Sequence, residues 1–312
     1  MASMDVATGT IFLSQTVFGT LGNFSLLYHY LFLYSTEHRL RPTDLILKHL
    51  MIANSLALLS KGVPQGCLVP QTMTAFGFKD FLNEAGCKLV FYLHRIGRAM
   101  SMSSICLLSV FQAIMISPRD STHAELKLKA PKHTGSFVFL CWILAMLANI
   151  SFPVNVTGKW SNANITMKKD LGYCSGVGNN KLMLSVLAAM LSFPDVLCLG
   201  LMIWASGSMV SILHRHKQRV RYICGNKLSA RCSPESTATQ RILVLVSIFV
   251  SFYTLSSTFQ LRIALINNPS WLLVNISAFI NGCFPTVSPY VLINHGSSLS
   301  RLCFVWPRNK IS

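Results

Sequence analysis

Four ionisable residues lie deep within long apolar runs, where a charge is costly and marks function by default: His94, Arg95 and Arg98 in one run, Asp195 in another. His94 and Arg98 are spaced i, i+4, and Arg95 and Arg98 i, i+3, which puts them on one side of a helix. Two guanidiniums and an imidazole can form the polar floor of a ligand cavity that takes an anion or a hydrogen-bond acceptor. The same residues can equally build a structural network with Asp195 and backbone carbonyls, and both readings stay open at this point. Asp195 follows Pro194 and is the sole acid deep within any run, since Asp44 sits at the end of one. Arg262, near the end of a run, reads as a side chain snorkelling to the interface, and Lys48 and His49 as anchors at the end of another.

Enzymatic chemistry finds no footing. A Walker loop, His-Glu-x-x-His, Gly-x-Ser-x-Gly and paired intramembrane aspartates are all missing from the sequence. His214, His216, Cys224 and Cys232 share one polar loop, but their spacing fits no standard zinc pattern and their basic neighbours repel a cation. We therefore expect no catalytic residue, no metal and no cofactor.

The residues above must be positioned by seven apolar runs, at 9–34, 44–62, 88–116, 134–153, 181–213, 241–266 and 270–294. A bilayer core about 30 Å thick needs about 20 apolar helical residues to cross it, and a spanning segment must satisfy its own backbone. The pattern predicts an all-α membrane protein, one seven-helix bundle over residues 1–312. With 52% hydrophobic and 12% charged residues and a mean hydropathy of +0.48, a soluble fold of this length would lack polar surface. Arg95 and Arg98 then fall about 10–17 Å below Cys87, and Asp195 about 20 Å from Lys181, at 1.5 Å per helical residue. Pro194, Pro285 and Pro289 are expected to kink their helices and to supply hinges.

Orientation follows from the Lys and Arg excess of cytoplasmic loops. Fifteen such residues, among them Arg39, Arg119, Lys127, Arg215, Arg221 and Arg301, fall on one face; Lys79, Lys159, Lys168 and Lys169 fall on the other. The N-terminus is expected outside and the C-terminus in the cytoplasm. The net charge of +17 is read in the same way, as basic loops facing anionic lipid rather than as a nucleic-acid surface. Residues 1–7 carry Asp5 and no basic stretch, so the first helix is expected to act as its own insertion signal. With tails and loops of this length, no further soluble domain is expected.

Of ten cysteines, only Cys67, Cys87 and Cys174 face the oxidising side, where disulfides persist. Cys87 lies at the outer mouth of the third run and Cys174 in the loop between the fourth and fifth, so we take these two as the pair. Cys67 is left over. Of the sequons, those at Asn23 and Asn275 lie inside runs and are read as packing residues. Asn155 stands close to the bilayer, which leaves Asn164 as the better glycan acceptor.

The strings LRPTDLILKHLMIANSLALLSKGVPQ, AGCKLVFYLHRIGR, CLLSVFQAI, NVTGKW with GYCS, WASGSMV and FPTVSPYVL closely resemble the vomeronasal type 1 receptors, a pheromone-receptor family, nearly end to end. The resemblance implies a multi-pass receptor in the plasma membrane of vomeronasal sensory neurons. It further implies a small pheromone-like ligand among the outer halves of the third, fifth, sixth and seventh helices. An inhibitory-class heterotrimeric G protein would dock at a cytoplasmic cleft opened by the sixth. It also supports the bridge from Cys87 to Cys174. Alternatives are a bitter-taste-like receptor or a solute carrier, although carriers often show paired broken repeats and none is visible here.

Two departures stand out. The acidic-Arg-Tyr triplet of rhodopsin-like receptors is replaced by LSVFQAIMISPR, and Asn-Pro-x-x-Tyr by Ser288-Pro289-Tyr290, so the residues of those switches do not carry over. GVPQGCLVPQTM reads as a family GVPQTM with about six residues inserted, either a tolerated extension of an outer loop, where closure entropy grows slowly with length, or a defect that impairs folding; the first reading is favoured because the turn sits outside the bundle. His94, Arg95 and Arg98 favour an anionic or acceptor-rich ligand; steroid-like and small volatile compounds are equally admissible.

Overall fold

Long apolar segments with no polar partner outside themselves have one economical solution, the α-helix, which pairs every backbone group internally. In the computed structural model the described residues are 2–37, 41–66, 84–117, 121–150, 156–158, 168–170, 174–177, 181–224, 234–265 and 270–294. They form seven helices: α1 (Ala2–Glu37), α2 (Pro42–Gly66), α3 (Glu84–Ile116), α4 (Ser121–Ala148), α5 (Lys181–Cys224), α6 (Pro234–Leu265) and α7 (Trp271–Asn294). Local signals set several starts. Pro42 and Pro234 open α2 and α6, where a missing N–H costs nothing. Asp44 lies in the first turn of α2, beside the positive end of its dipole. The Ser270 hydroxyl caps α7 by accepting from the Leu273 N–H at 3.3 Å.

Among the described residues five helices, α3 to α7, are long and apolar enough to cross a membrane by length and composition. Several helices run past the expected spans. α4 begins at Ser121, thirteen residues before the fourth run, and carries Pro131 within it; α5 continues to Cys224. The apolar signal ends at the interface, but a helix in water can go on wherever side chains support it, as the exposed Lys129–Glu125 pair at 2.6 Å does. In the opposite sense, α4 ends at Ala148, short of residue 153. The segment between α4 and α5, expected to be loop, holds a three-stranded antiparallel sheet of order β1-β3-β2. Its strands are β1 (Val156–Gly158), β2 (Lys168–Asp170) and β3 (Cys174–Val177), and β1 lies against α3.

α3 is the central element. It packs on α2, α4, α5 and α6, and half of its span is buried against 17% for α4 and for α5. The core runs through Leu50, Met100, Ile105, Leu108, Met202 and Leu245, all fully enclosed. Outward, Phe139, Phe193, Ile203 and Trp204 are 62–67% exposed, a surface suited to lipid and not to water. α2 and α3 approach closely at Gly97, where a Cβ would stand 2.8 Å from the Ala57 nitrogen and 2.9 Å from the Ala53 oxygen. Small residues let backbones meet in this way when helices associate in lipid.

A buried polar network ties α1, α2, α3 and α7 together. Pro289 has no N–H, so the Pro285 carbonyl one turn earlier loses its helical partner. The Asn23 amide donates to that carbonyl at 2.8 Å and to the Gly19 carbonyl at 2.7 Å. Asn54 donates to Ser288 at 2.9 Å and to Asn23 at 3.4 Å, while the Ser101 hydroxyl donates to Asn54 at 2.8 Å. Asn23 is therefore a packing residue, as its depth suggests.

Candidate functional site

Three of the four intramembrane ionisable residues meet at one cavity. Its wall on α3 follows the helical repeat Arg95, Arg98, Met102 and Cys106; α4 adds Cys141, Ala145 and Asn149, and α5 adds Asp195, Cys198 and Leu201. The volume is about 480 Å³, within the range of small-molecule sites. Polar atoms gather at one end and apolar side chains and thiols line the rest. Cys106, Cys141 and Cys198 are unbridged.

The two arginines fan out from α3 in different directions. Arg95 donates from Nε to the Asn149 side-chain oxygen at 3.1 Å, and Asn149 in turn donates to the Ala145 carbonyl at 2.8 Å. Arg95 is thus tied to the end of α4, with Asp195 also within electrostatic reach. Arg98 turns towards α6 and α7. Its guanidinium lies over the Tyr253 ring, 5.1 Å from the centroid, and donates to Asn281 at 3.3 Å. Ser256 donates to the same Asn281 oxygen. The Tyr253 hydroxyl donates to Asp195 at 2.5 Å, so a cation, a ring and a carboxylate form one chain across α3, α6 and α5. Hydrogen bonds to a charged group are among the stronger ones.

His94 stands apart from this set. Its Nδ1 lies 3.1 Å from the Ala57 carbonyl of α2, a contact in which the ring donates. It lines a second, narrower pocket with Ser101, Tyr253 and Asn281, and Arg98 borders both pockets. The i, i+4 spacing of His94 and Arg98 brings both to the narrower pocket, but their side chains take different partners there. Arg262 is exposed in the last turn of α6. His49 differs from expectation: it accepts from the Trp142 indole at 3.2 Å, so it joins α2 to α4 and is not a free interface anchor. Among the described residues no cluster of three or more metal-ligating side chains occurs.

Tyr253, Asn281 and Asn149 are the residues that sequence reasoning missed. Each is a polar group within or at the end of an apolar run, a weak signal shared with many packing serines and threonines. The side chains of Cys87 and Cys174, and all of Asn155, Asn164 and Cys67, lie outside the described residues, as do positions 67–71 of the inserted stretch. The backbone of Val63 to Gly66 continues α2.

The model of the vomeronasal organ pheromone receptor family matches residues 6–305. The chain is 61% identical over 308 residues to vomeronasal type-1 receptor 4 of Homo sapiens, covering 99% of this chain and 100% of that one. It is 56% identical over 303 residues to vomeronasal type-1 receptor 3 of Homo sapiens, covering 97% and 95%. Among solved structures, squid rhodopsin superposes with a TM-score of 0.72 at 14% identity, over 98% of this chain and 82% of that one. This likeness shows the heptahelical fold.

Proposed function

The chain belongs to the vomeronasal organ pheromone receptor family, and from that membership and its multi-pass fold we propose that it acts as a chemosensory receptor of the plasma membrane. It is a seven-helix receptor of the G-protein-coupled kind, and a small pheromone-like molecule binds in the half of the bundle where Arg95, Arg98 and Asp195 meet. The observation that carries this reading is their convergence on one cavity of about 480 Å³. A half-buried guanidinium recognises a carboxylate, sulfate or carbonyl through charge-assisted hydrogen bonds. His94 contributes from the neighbouring pocket, where Arg98 is shared.

A ligand that draws Arg98 towards itself competes with the Tyr253 ring and with Asn281 for the same guanidinium. That competition biases the position of α6 against α3 and α7, which is how occupancy would reach the far end of the bundle. An inhibitory-class heterotrimeric G protein then docks at the cytoplasmic face, where the basic ends of α4 and α5 lie. The N-terminus is outside, Cys87 bridges Cys174 across the outer rim, and Asn164 carries a glycan. The position of the sheet against α3 is compatible with that bridge.

Expressed receptor is screened against acidic and neutral odorant panels, with nucleotide exchange on a purified inhibitory G protein as readout. Against the strongest agonist, Arg98→Ala abolishes the response while surface expression survives. Unchanged potency would move the pocket elsewhere, and solute flux in liposomes without nucleotide exchange would favour a carrier. Epitope tags at Met1 and Ser312 on intact cells test the orientation: only the first should be reachable by antibody.

A further inference from the structure

α4 and α5 both pack on α3 but scarcely on each other, and the cavity lies in the cleft between them. Leu144 and Leu147 of α4 and Leu197 and Leu201 of α5 line it, and each is 47–58% exposed. Exposed leucines on both sides of a cleft whose two helices barely touch mark its mouth. Both lips of this mouth are leucine, and they lie within the apolar spans of α4 and α5, so the medium outside is lipid. We propose that the ligand cavity opens sideways into the bilayer through the α4–α5 cleft, and that it admits a single-tailed anionic amphiphile dissolved in the membrane. The proposal rests on the reading of this cavity as the ligand site and adds the route and the chemical class.

The lining is graded in the same sense on all three helices. Along α3 it passes from Arg95 and Arg98 to Cys106 and Leu107; along α4, from Asn149 to Cys141; along α5, from Asp195 to Leu201. At 1.5 Å per residue the path from Arg95 to Leu107 is about 18 Å, long enough to hold a chain of many methylenes behind a head group. The polar end lies about 10 Å inside the point where the span of α3 begins at Lys88. A phospholipid head belongs at the interface itself, whereas a small anion on one chain can sink to this depth when cations receive it. The lining supplies them: two guanidiniums against one carboxylate leave one positive charge in excess, which a carboxylate or sulfate would neutralise. Leucine lips exclude water and accept an acyl chain, so the aqueous path is the less favourable one.

The test uses the full chain in lipid nanodiscs and, as probe, dodecanoic acid carrying a terminal diazirine. After irradiation, adducts are mapped by mass spectrometry. Saturable adducts at the apolar end of the cavity, on residues 106–107, 141–144 and 198–201, are expected, displaced by unlabelled dodecanoate and far less by dodecanol. Arg98→Gln should raise the half-saturating concentration by about tenfold or more, the loss of a charged hydrogen bond. Leu197→Trp and, independently, Leu147→Trp alter exposed side chains at the cleft and should block labelling while the unfolding temperature holds. Saturable, Arg98-dependent labelling that ignores both tryptophans overturns the lateral route and spares the cavity. Labelling that neither saturates nor responds to Arg98→Gln is annular lipid and overturns both.

Discussion

Replacing Tyr253 by Phe deletes one oxygen and keeps the ring, so it isolates the hydroxyl's bond to Asp195. The bond is 2.5 Å long and joins α6 to α5, two helices with few other contacts. A hydrogen bond to a charged group is worth about 1.5–3 kcal/mol in soluble proteins. Interhelical polar pairs in lipid average about 0.6 and reach about 1.7 kcal/mol, because the unfolded chain in the membrane also finds partners. The carboxylate is partly buried and has Arg95 within electrostatic reach, so deletion does not strand it. We therefore expect Tyr253→Phe to cost about 1–1.7 kcal/mol, with the stacking of Arg98 on the ring retained. Reversible unfolding of the purified protein in mixed micelles gives the free energy directly. A cycle with Asp195→Ala should return a coupling of about 1 kcal/mol, well above the roughly 0.3–0.5 kcal/mol expected of independent sites. If the two substitutions add, the hydroxyl and the carboxylate do not hold each other and the chain of groups from Arg98 to Asp195 is broken as an argument.

Gly97→Ala should destabilise by about 1–3 kcal/mol, since its Cβ meets backbone atoms of Ala53 and Ala57 that cannot step aside. Gly200→Ala, with nothing within 4 Å, should be neutral or stabilising by up to about 1 kcal/mol through helix propensity; thermal unfolding in nanodiscs separates the two. Asn23→Ala leaves the Pro285 carbonyl without its donor and should cost about 1–3 kcal/mol, and the same loss should not follow Pro289→Ala combined with it, which restores the helical N–H. Asn164→Gln should abolish any shift in electrophoretic mobility on glycosidase treatment, whereas Asn23→Gln and Asn275→Gln should leave it intact.

Seven helices, the family and the candidate charges were all legible in the chain, for a reason specific to its solvent. Lipid offers no hydrogen bonds, so an apolar run of sufficient length has a single folded state and its sequence pattern is read without knowledge of any neighbour. The same solvent made Arg95, Arg98 and Asp195 conspicuous and told Asn23 apart from a glycan acceptor. Where the lipid ends, so does that clarity. The start of α4 at Ser121, the reach of α5 to Cys224 and the sheet between them depend on local pairing in polar surroundings, where the apolar signal is silent.

The partners of the charges were decided by the tertiary structure alone. Spacing puts His94 and Arg98 on one side of α3 and beside one pocket, but only the neighbouring helices decide that His94 meets Ala57 of α2 while Arg98 meets Tyr253 and Asn281. Tyr253 and Asn281 lie 155 and 183 residues further along the chain, and nothing local encodes their meeting with α3. Helix rotation is set by the sum of many packing contacts across α2, α3, α6 and α7, and the cleft between α4 and α5 by their common preference for α3. The sequence fixes which segments are helical and which charges they bury; only the assembled bundle fixes what each charge faces.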